Sequence, residues 1–277
     1  LVGESTAGQA TFELDIADEA PLGLFGLRLA TVDGLSNAHL FVIDDIAPHT
    51  EGAADDPDGD LDVDRPPELV TLPVAVGGIY RSEDQDTFAI EVEAGESVSF
   101  EVVGNRLGQD FDALVVIRDA SGRQVVARDN DVGLFFDCRF AHTFEKAGRY
   151  TVQVRDARFQ GNEHCTYLLR MGHFSPALVA LPSTVRIGER TLLSFPQLGT
   201  DIVSYRAPAD LKPGGFYYGL RRPSHDSSVW LPLLASVLPS STETEPNDST
   251  GDASAAVVLS LIHISEPTRP RLRSSAV

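Results

Sequence analysis

The most regular hydrophobic pattern in the chain runs from Gly78 to Asp131. Phe88, Ile90 and Val92 alternate with Ala89, Glu91 and Glu93, and Val98, Phe100 and Val102 repeat the theme. A period of two sends successive side chains to opposite faces, which marks half-buried antiparallel strands rather than helix. Two acidic features frame these runs. Asp84-Gln85-Asp86-Thr87-Phe88 feeds the first, and Asp129-Asn130-Asp131 closes a later one. From Val70 to Met171 the segments VTLPVAV, DTFAIEVEA, SVSFEVVG, ALVVIRDA, RQVVARD, CRFAHTF, RYTVQVRD and CTYLLRM read as strands. Gly95-Glu96, Ser121-Gly122 and Ala147-Gly148 supply turns between them. About eight short strands at a spacing of roughly 8–12 residues predict a two-sheet sandwich.

The flanks divide the chain further. Within residues 1–50, ATFELDI and the stretch from Leu24 to Leu29 alternate, and Asp33-Gly34 is a hairpin signal before HLFVID. This piece reads as the C-terminal part of an immunoglobulin-like β module. Residues 51–69 are acidic, proline-rich and poor in large apolar side chains, as a linker is. Residues 70–172 form the predicted sandwich and 173–241 a second immunoglobulin-like β module. Pro213, Gly215, Tyr217 and Ser228 stand at one constant offset from Pro21, Gly23, Phe25 and Ser36, a short internal repeat. The same offset carries Glu51 onto Glu243, so 242–258 reads as the lead-in to a truncated second sandwich. Residues 259–277 begin LSLIHISEPTR, which matches a translated transposase-type sequencing adaptor; this tail, with His263 and Arg269, is set aside. Leu1 falls in mid-pattern, which reads as a fragment of a longer protein.

Composition narrows the class. With 23 glycines, 17 prolines and no long helical periodicity, the expected fold is all-β: a jelly-roll-like antiparallel β-sandwich flanked by partial immunoglobulin-like β modules. A formal net charge of -19 argues against nucleic acid and anionic membrane surfaces as partners, because both need a basic face. No run approaches the ~20 apolar residues of a membrane span. Two cysteines are too few for a disulfide scaffold.

Cys138 and Cys165 fall on core-facing positions, either as buried small hydrophobes or as a disulfide. Zinc at Cys138, His142, His164 and Cys165 is disfavoured, since Cys138 and His142 stand ~13 Å apart along a strand. Ser97, His142 and Asp137 include the residue types of a hydrolase triad, without a nucleophile elbow to support it. The expectation is therefore no catalysis within this chain. Trp230, Tyr217 and Tyr218 suit either core packing or a carbohydrate- or protein-binding platform.

The central stretch resembles the bacterial pre-peptidase C-terminal (PPC) domain. The match rests on Gly78-Ile79, the Asp84–Phe88 turn, Ala94-Gly95-Glu96, Asp112-Ala113-Leu114 and Asp119-Ala120-Ser121-Gly122. It continues with Asp129-Asn130-Asp131, Ala147-Gly148-Arg149-Tyr150 and Tyr167-Leu168-Leu169. The resemblance implies a non-catalytic sandwich of secreted or cell-surface bacterial proteins, often beside peptidases. Its expected partners are protein, matrix or polysaccharide surfaces and the neighbouring modules of its own chain. The alternatives are an accessory region of a secreted peptidase and a matrix or carbohydrate adhesion module.

Related collagen-binding domains hold calcium with a Glu-Pro-Asn lead-in and the acidic turn. Here Asp84 and Asp86 are candidate Ca2+ ligands, to be joined by Glu51, Asp55 or Asp56, since Ca2+ takes about 6–8 oxygen ligands. The alternative is that these aspartates cap turns through backbone N–H groups. The first lead-in departs from the family pattern, reading EGAADDPDGDLDVD. An EF-hand reading of its alternating aspartates fails, because Arg65 stands where the closing Glu belongs.

Overall fold

Strand propensity and turn chemistry produce nineteen short strands in the computed structural model, which describes residues 11, 13–32, 34–50, 67–131, 133–199, 201–239, 246 and 248–252. The chain is all-β. The N-terminal piece carries β1 (Gly23–Leu27), β2 (Ala30–Thr31), β3 (Gly34–Leu35) and β4 (His39–Ile43), with β1 antiparallel to β4. Then come β5 (Pro48–Thr50), β6 (Glu68–Leu69), β7 (Val74–Ile79), β8 (Asp86–Val92) and β9 (Ser97–Val103). The central run ends with β10 (Ala113–Arg118), β11 (Gln124–Arg128), β12 (Cys138–Thr143), β13 (Gly148–Asp156) and β14 (Thr166–Gly172).

Two five-stranded sheets form the sandwich, in the orders β11-β10-β13-β8-β6 and β12-β9-β14-β7-β5. Within each sheet the pairing is antiparallel except at one edge, where β6 and β5 add parallel to β8 and β7. Phe88, Ile90, Val92, Val98, Phe100 and Val102 all point between the sheets, as their alternation requires. Phe140, Val152, Val154, Leu169 and Met171 meet them there. Cys138 lies fully buried in this core and Cys165 half-buried at its margin, both as free thiols. Burial pushes the Cys138 thiol well above its ordinary range.

The strand directions collect four loops at one end of the sandwich: 80–85, 104–112, 129–137 and 157–165. Thr50 and Pro67, which flank the segment 51–66, lie at that same end, because β5 runs toward Gly77 and β6 begins beside Phe88. The opposite end carries the β8–β9 turn and the exit from β14.

The remaining strands are β15 (Thr184–Arg186), β16 (Arg190–Ser194), β17 (Ile202–Arg206), β18 (Gly214–Leu220) and β19 (Val229–Ser236). β15 and β18 flank β19 in one sheet, and β16 pairs with β17 in another. Their core includes Phe174, Val185, Leu193, Phe195, Leu220 and Leu231. It also takes in Ala75 from the outer face of β7 and Ile46 from the N-terminal piece. The β1–β4 hairpin approaches the same body at Gly23, where a Cβ would stand 2.6 Å from Tyr217 Cβ, so no larger residue fits without displacement.

Candidate functional site

Alternation leaves Ser99, Glu101 and Val103 on the outer face of β9, which a sandwich standing alone would give to solvent. Here that face is covered. Glu101 has no exposed surface and lies directly opposite Arg139 of β12 on one side and Arg170 of β14 on the other. Direct opposition brings unlike charges into contact across paired strands. Arg139 Nη2 donates to Glu101 Oε1 at 2.5 Å, and Arg170 Nη1 donates to Glu101 Oε2 at 2.5 Å.

A third guanidinium arrives from a loop. Fully buried Asp137 accepts hydrogen bonds from the backbone N–H groups of Gly104, Asn105 and Arg106 at 2.9, 2.8 and 3.1 Å. That grip shapes the 3-10 turn Asn105–Leu107 and aims Arg106 at the cluster. Arg106 Nε then donates to Asp137 at 2.7 Å and its Nη2 to Glu101 Oε1 at 2.7 Å. Asp44, after β4, closes the set with two bonds from Arg170, at 2.6 and 2.8 Å. Three arginines thus face three carboxylates, the balance a buried cluster needs. Burial by itself would raise the Glu101 carboxyl, but Arg139, Arg106 and Arg170 hold it far below the usual carboxylate range.

Residues 173–239 cover this cluster. Arg139 Nη1 donates to the Ala177 carbonyl at 2.5 Å, and Arg170 Nη2 to the Ser228 carbonyl at 2.7 Å. Ser99 Oγ donates to the Phe174 carbonyl at 2.5 Å. The indole of Trp230, with no exposed surface, lies 4.8 Å from the Arg170 guanidinium and 5.5 Å from that of Arg106. Cation–π attraction of this kind strengthens where water is excluded. Asp45 reaches across as well, accepting from Ser228 N at 3.1 Å and Ser228 Oγ at 2.6 Å. The N-terminal piece, the sandwich and the following module meet at one seam.

Sequence reasoning missed this seam. The available signal was one charged residue centred in each of FEV, CRF and LRM, within three largely apolar strands. Trp230 is buried and half-buried Tyr217 packs edge-on against it at 5.9 Å, so these two rings serve the seam, while half-buried Tyr218 packs beside Tyr205. Asp137 is committed to the 104–107 turn, away from His142, whose ring packs edge-on against Phe144.

Of the predicted calcium ligands, Asp84 and Asp86 lie among the described residues. Asp84 caps its own turn, accepting from Gln85 N at 2.9 Å and Arg81 N at 3.3 Å. Asp86 turns inward, where its Oδ2 accepts from the Tyr167 hydroxyl at 2.6 Å. Glu51, Asp55 and Asp56 lie outside the described residues, as do Glu243 and the tail from 259. Among the described residues no three His, Cys, Asp or Glu side chains stand together as a metal site. The second acidic cluster also serves local structure: Asp131 accepts from Arg139 N at 2.7 Å, and Asn130 Nδ2 donates to Asp112 at 3.1 Å.

The Asp86–Tyr167 contact yields a prediction. A Cβ on Gly78 would stand 2.5 Å from Tyr167 Cε1 and 2.6 Å from its hydroxyl oxygen. Gly78→Ala is expected to cost roughly 1–3 kcal/mol, as overpacking does, and to push the phenol off Asp86. Thermal unfolding beside Tyr167→Phe, expected to lose about 1 kcal/mol, checks this; an unchanged Gly78→Ala midpoint would show that the ring yields freely.

No family model and no curated protein matches the chain. Among solved structures, the pre-peptidase C-terminal domain of a collagenase from Bacillus anthracis is 16% identical, over 39% of this chain and 97% of that one, with a TM-score of 0.31. PliG, a periplasmic inhibitor of g-type lysozyme, is 14% identical in its Aeromonas hydrophila form, over 38% and 92%, with a TM-score of 0.31. Its Salmonella Typhimurium form is 14% identical, over 38% and 97%, with a TM-score of 0.27. No helix among the described residues is long and apolar enough to cross a membrane.

Proposed function

We propose that this chain is a non-catalytic array of β modules, acting as a stiff spacer that holds neighbouring parts of a secreted or cell-surface bacterial protein in fixed relation. One observation carries the reading: the Glu101–Arg106–Arg139–Arg170 cluster is buried between modules rather than within one. A flexible string of domains has small, polar, hydrated contacts. Buried charges tolerate little misalignment, because each loses far more by desolvation than it regains from a displaced partner. The PPC resemblance of 70–172 and the net charge of -19 support a soluble extracellular setting. The same stiffness would suit an accessory region beside a secreted peptidase.

The test is rotational diffusion. Backbone 15N relaxation should give the amides of 74–172 and 184–236 one common correlation time; two distinct, shorter times would refute the spacer reading.

Calcium belongs to the same proposal. The flanking residues Thr50 and Pro67 lie at the Asp84–Asp86 end of the sandwich, which supports Glu51, Asp55 and Asp56 as companions to Asp84. Calcium binding only the native state would raise the unfolding midpoint of the full chain, by about 2.7 kcal/mol of stability at a hundredfold excess over Kd. An equal midpoint in millimolar Ca2+ and in chelator would sink the calcium idea while leaving the seam untouched.

A further inference from the structure

His173 follows the last residue of β14 and stands across the seam at the end remote from the Asp84 turn. Its Nδ1 lies 2.8 Å from Asp226 Oδ2 and its Nε2 lies 3.0 Å from Glu96 Oε1. Glu96 belongs to the β8–β9 turn of the sandwich, and Asp226 to the β18–β19 loop of the following module. Both carboxylates are held in place. Glu96 Oε2 accepts from Glu93 N at 2.6 Å, and Asp226 Oδ1 accepts from Ser227 Oγ at 2.9 Å and His173 N at 3.2 Å.

Ionised carboxylate oxygens only accept, so both contacts are satisfied only when both ring nitrogens carry protons. The neutral ring keeps one proton, and its bare nitrogen then faces an oxygen at about 3 Å, an acceptor against an acceptor. We propose that protonated His173 is a latch across the seam, and that its deprotonation releases this end and makes the coupling of the two modules depend on pH. The inference rests on the reading of the seam as a structural joint.

The β8–β9 turn also carries Glu93, and the adjoining β12–β13 turn carries Glu145 and Lys146. Beside Glu96 and Asp226 stand His225 and, behind it, Arg222; Pro73 on the sandwich side is uncharged. Burial works to lower the His173 pKa, but the hydrogen bonds to Asp226 and Glu96 outweigh it and raise the value above the ordinary imidazole. The latch contribution is therefore complete below about pH 6.5, the ordinary imidazole value, and is lost as pH rises through the raised one. Burial would raise Asp226, yet bonds from His173 and Ser227 keep it below its usual range. Its contribution thus persists above about pH 3.9 and fails only in stronger acid. His225 acts oppositely, since burial and Arg222 lower it; its contribution is present above the ordinary value and lost as pH falls. A difference between wild type and a His173 variant cancels that background.

The experiment uses the full chain in three forms besides wild type: His173→Gln, Glu96→Gln and Asp226→Asn. Imidazole NMR titration reads the His173 midpoint, and urea unfolding at pH 6 and pH 9 reads stability. The latch predicts a His173 midpoint above 6.5 that shifts downward in Glu96→Gln and, separately, in Asp226→Asn. It also predicts that wild type exceeds His173→Gln in stability at pH 6 and that the difference disappears by pH 9. A midpoint indifferent to Glu96→Gln would overturn it, because the ring would then not sense the sandwich. Coupled unfolding of the modules at both pH values, with a flat difference, would overturn the latch alone. Separate unfolding of the two modules already at pH 6 would overturn the joint and the latch together.

Discussion

Glu101→Ala lowers the stability of the chain by about 3–5 kcal/mol, the cost of breaking a buried ion pair by removing one partner. Three guanidinium groups lose their common anion at once, since Arg106, Arg139 and Arg170 each donate to this carboxylate. Asp137 still holds Arg106 and Asp44 still holds Arg170, so Arg139 is left without a carboxylate partner in a site with no exposed surface. Thermal unfolding would show the midpoint fall by roughly 6–20 °C for a chain of this size. A fall within about 0.5 kcal/mol, the range of ordinary surface substitutions, would mean that water reaches the cluster. Glu101→Leu combined with Arg139→Met, Arg170→Met and Asp44→Leu makes an informative contrast, since it leaves only Arg106 and Asp137, which pair with each other. Replacing a whole buried cluster by apolar side chains is often neutral or stabilising, so that variant is expected to recover most of the loss.

Trp230→Ala has the second large effect, about 3–5 kcal/mol for removing a large buried aromatic. The ring fills the space between Tyr217 and the Arg106 and Arg170 guanidinium groups. Its loss also removes the π face that shields two buried cations. Trp230→Phe, which keeps an aromatic face in a smaller volume, is expected to lose less than half as much. Denaturant unfolding of the two variants side by side measures this, and equal losses would show that the indole face contributes nothing beyond volume.

Much of the sandwich was legible in the sequence because its inner face follows a simple rule. Phe88, Ile90, Val92, Val98, Phe100 and Val102 alternate, and alternation is what a two-layer core imposes. Turns such as Asp119–Gly122 were legible too, since Asp119 accepts from Ser121 N at 3.0 Å as an Asx turn does. The seam was not legible. Glu101, Arg139 and Arg170 occupy positions where polar residues ordinarily meet water, and alternation is the same whether that face meets solvent or a second module. Only the strand order, which places β9 between β12 and β14, makes the three charges neighbours. The acidic turn shows the opposite difficulty. Asp84 and Asp86 are two residues apart, yet one caps a turn and the other enters the core beneath Tyr167. Chemical type and spacing do not reveal which way a side chain leaves the backbone at the mouth of a strand.

The chain contains one tryptophan, and it lies in the seam. Trp230 fluorescence therefore reports the joint between modules, while far-UV circular dichroism reports all the strands. If the buried charges make sandwich and following module one cooperative unit, urea unfolding at pH 6 followed by the two signals gives a single coincident transition. A fluorescence transition completed at lower urea than the loss of strand signal would mean that the seam opens while the modules stay folded, and would contradict the account.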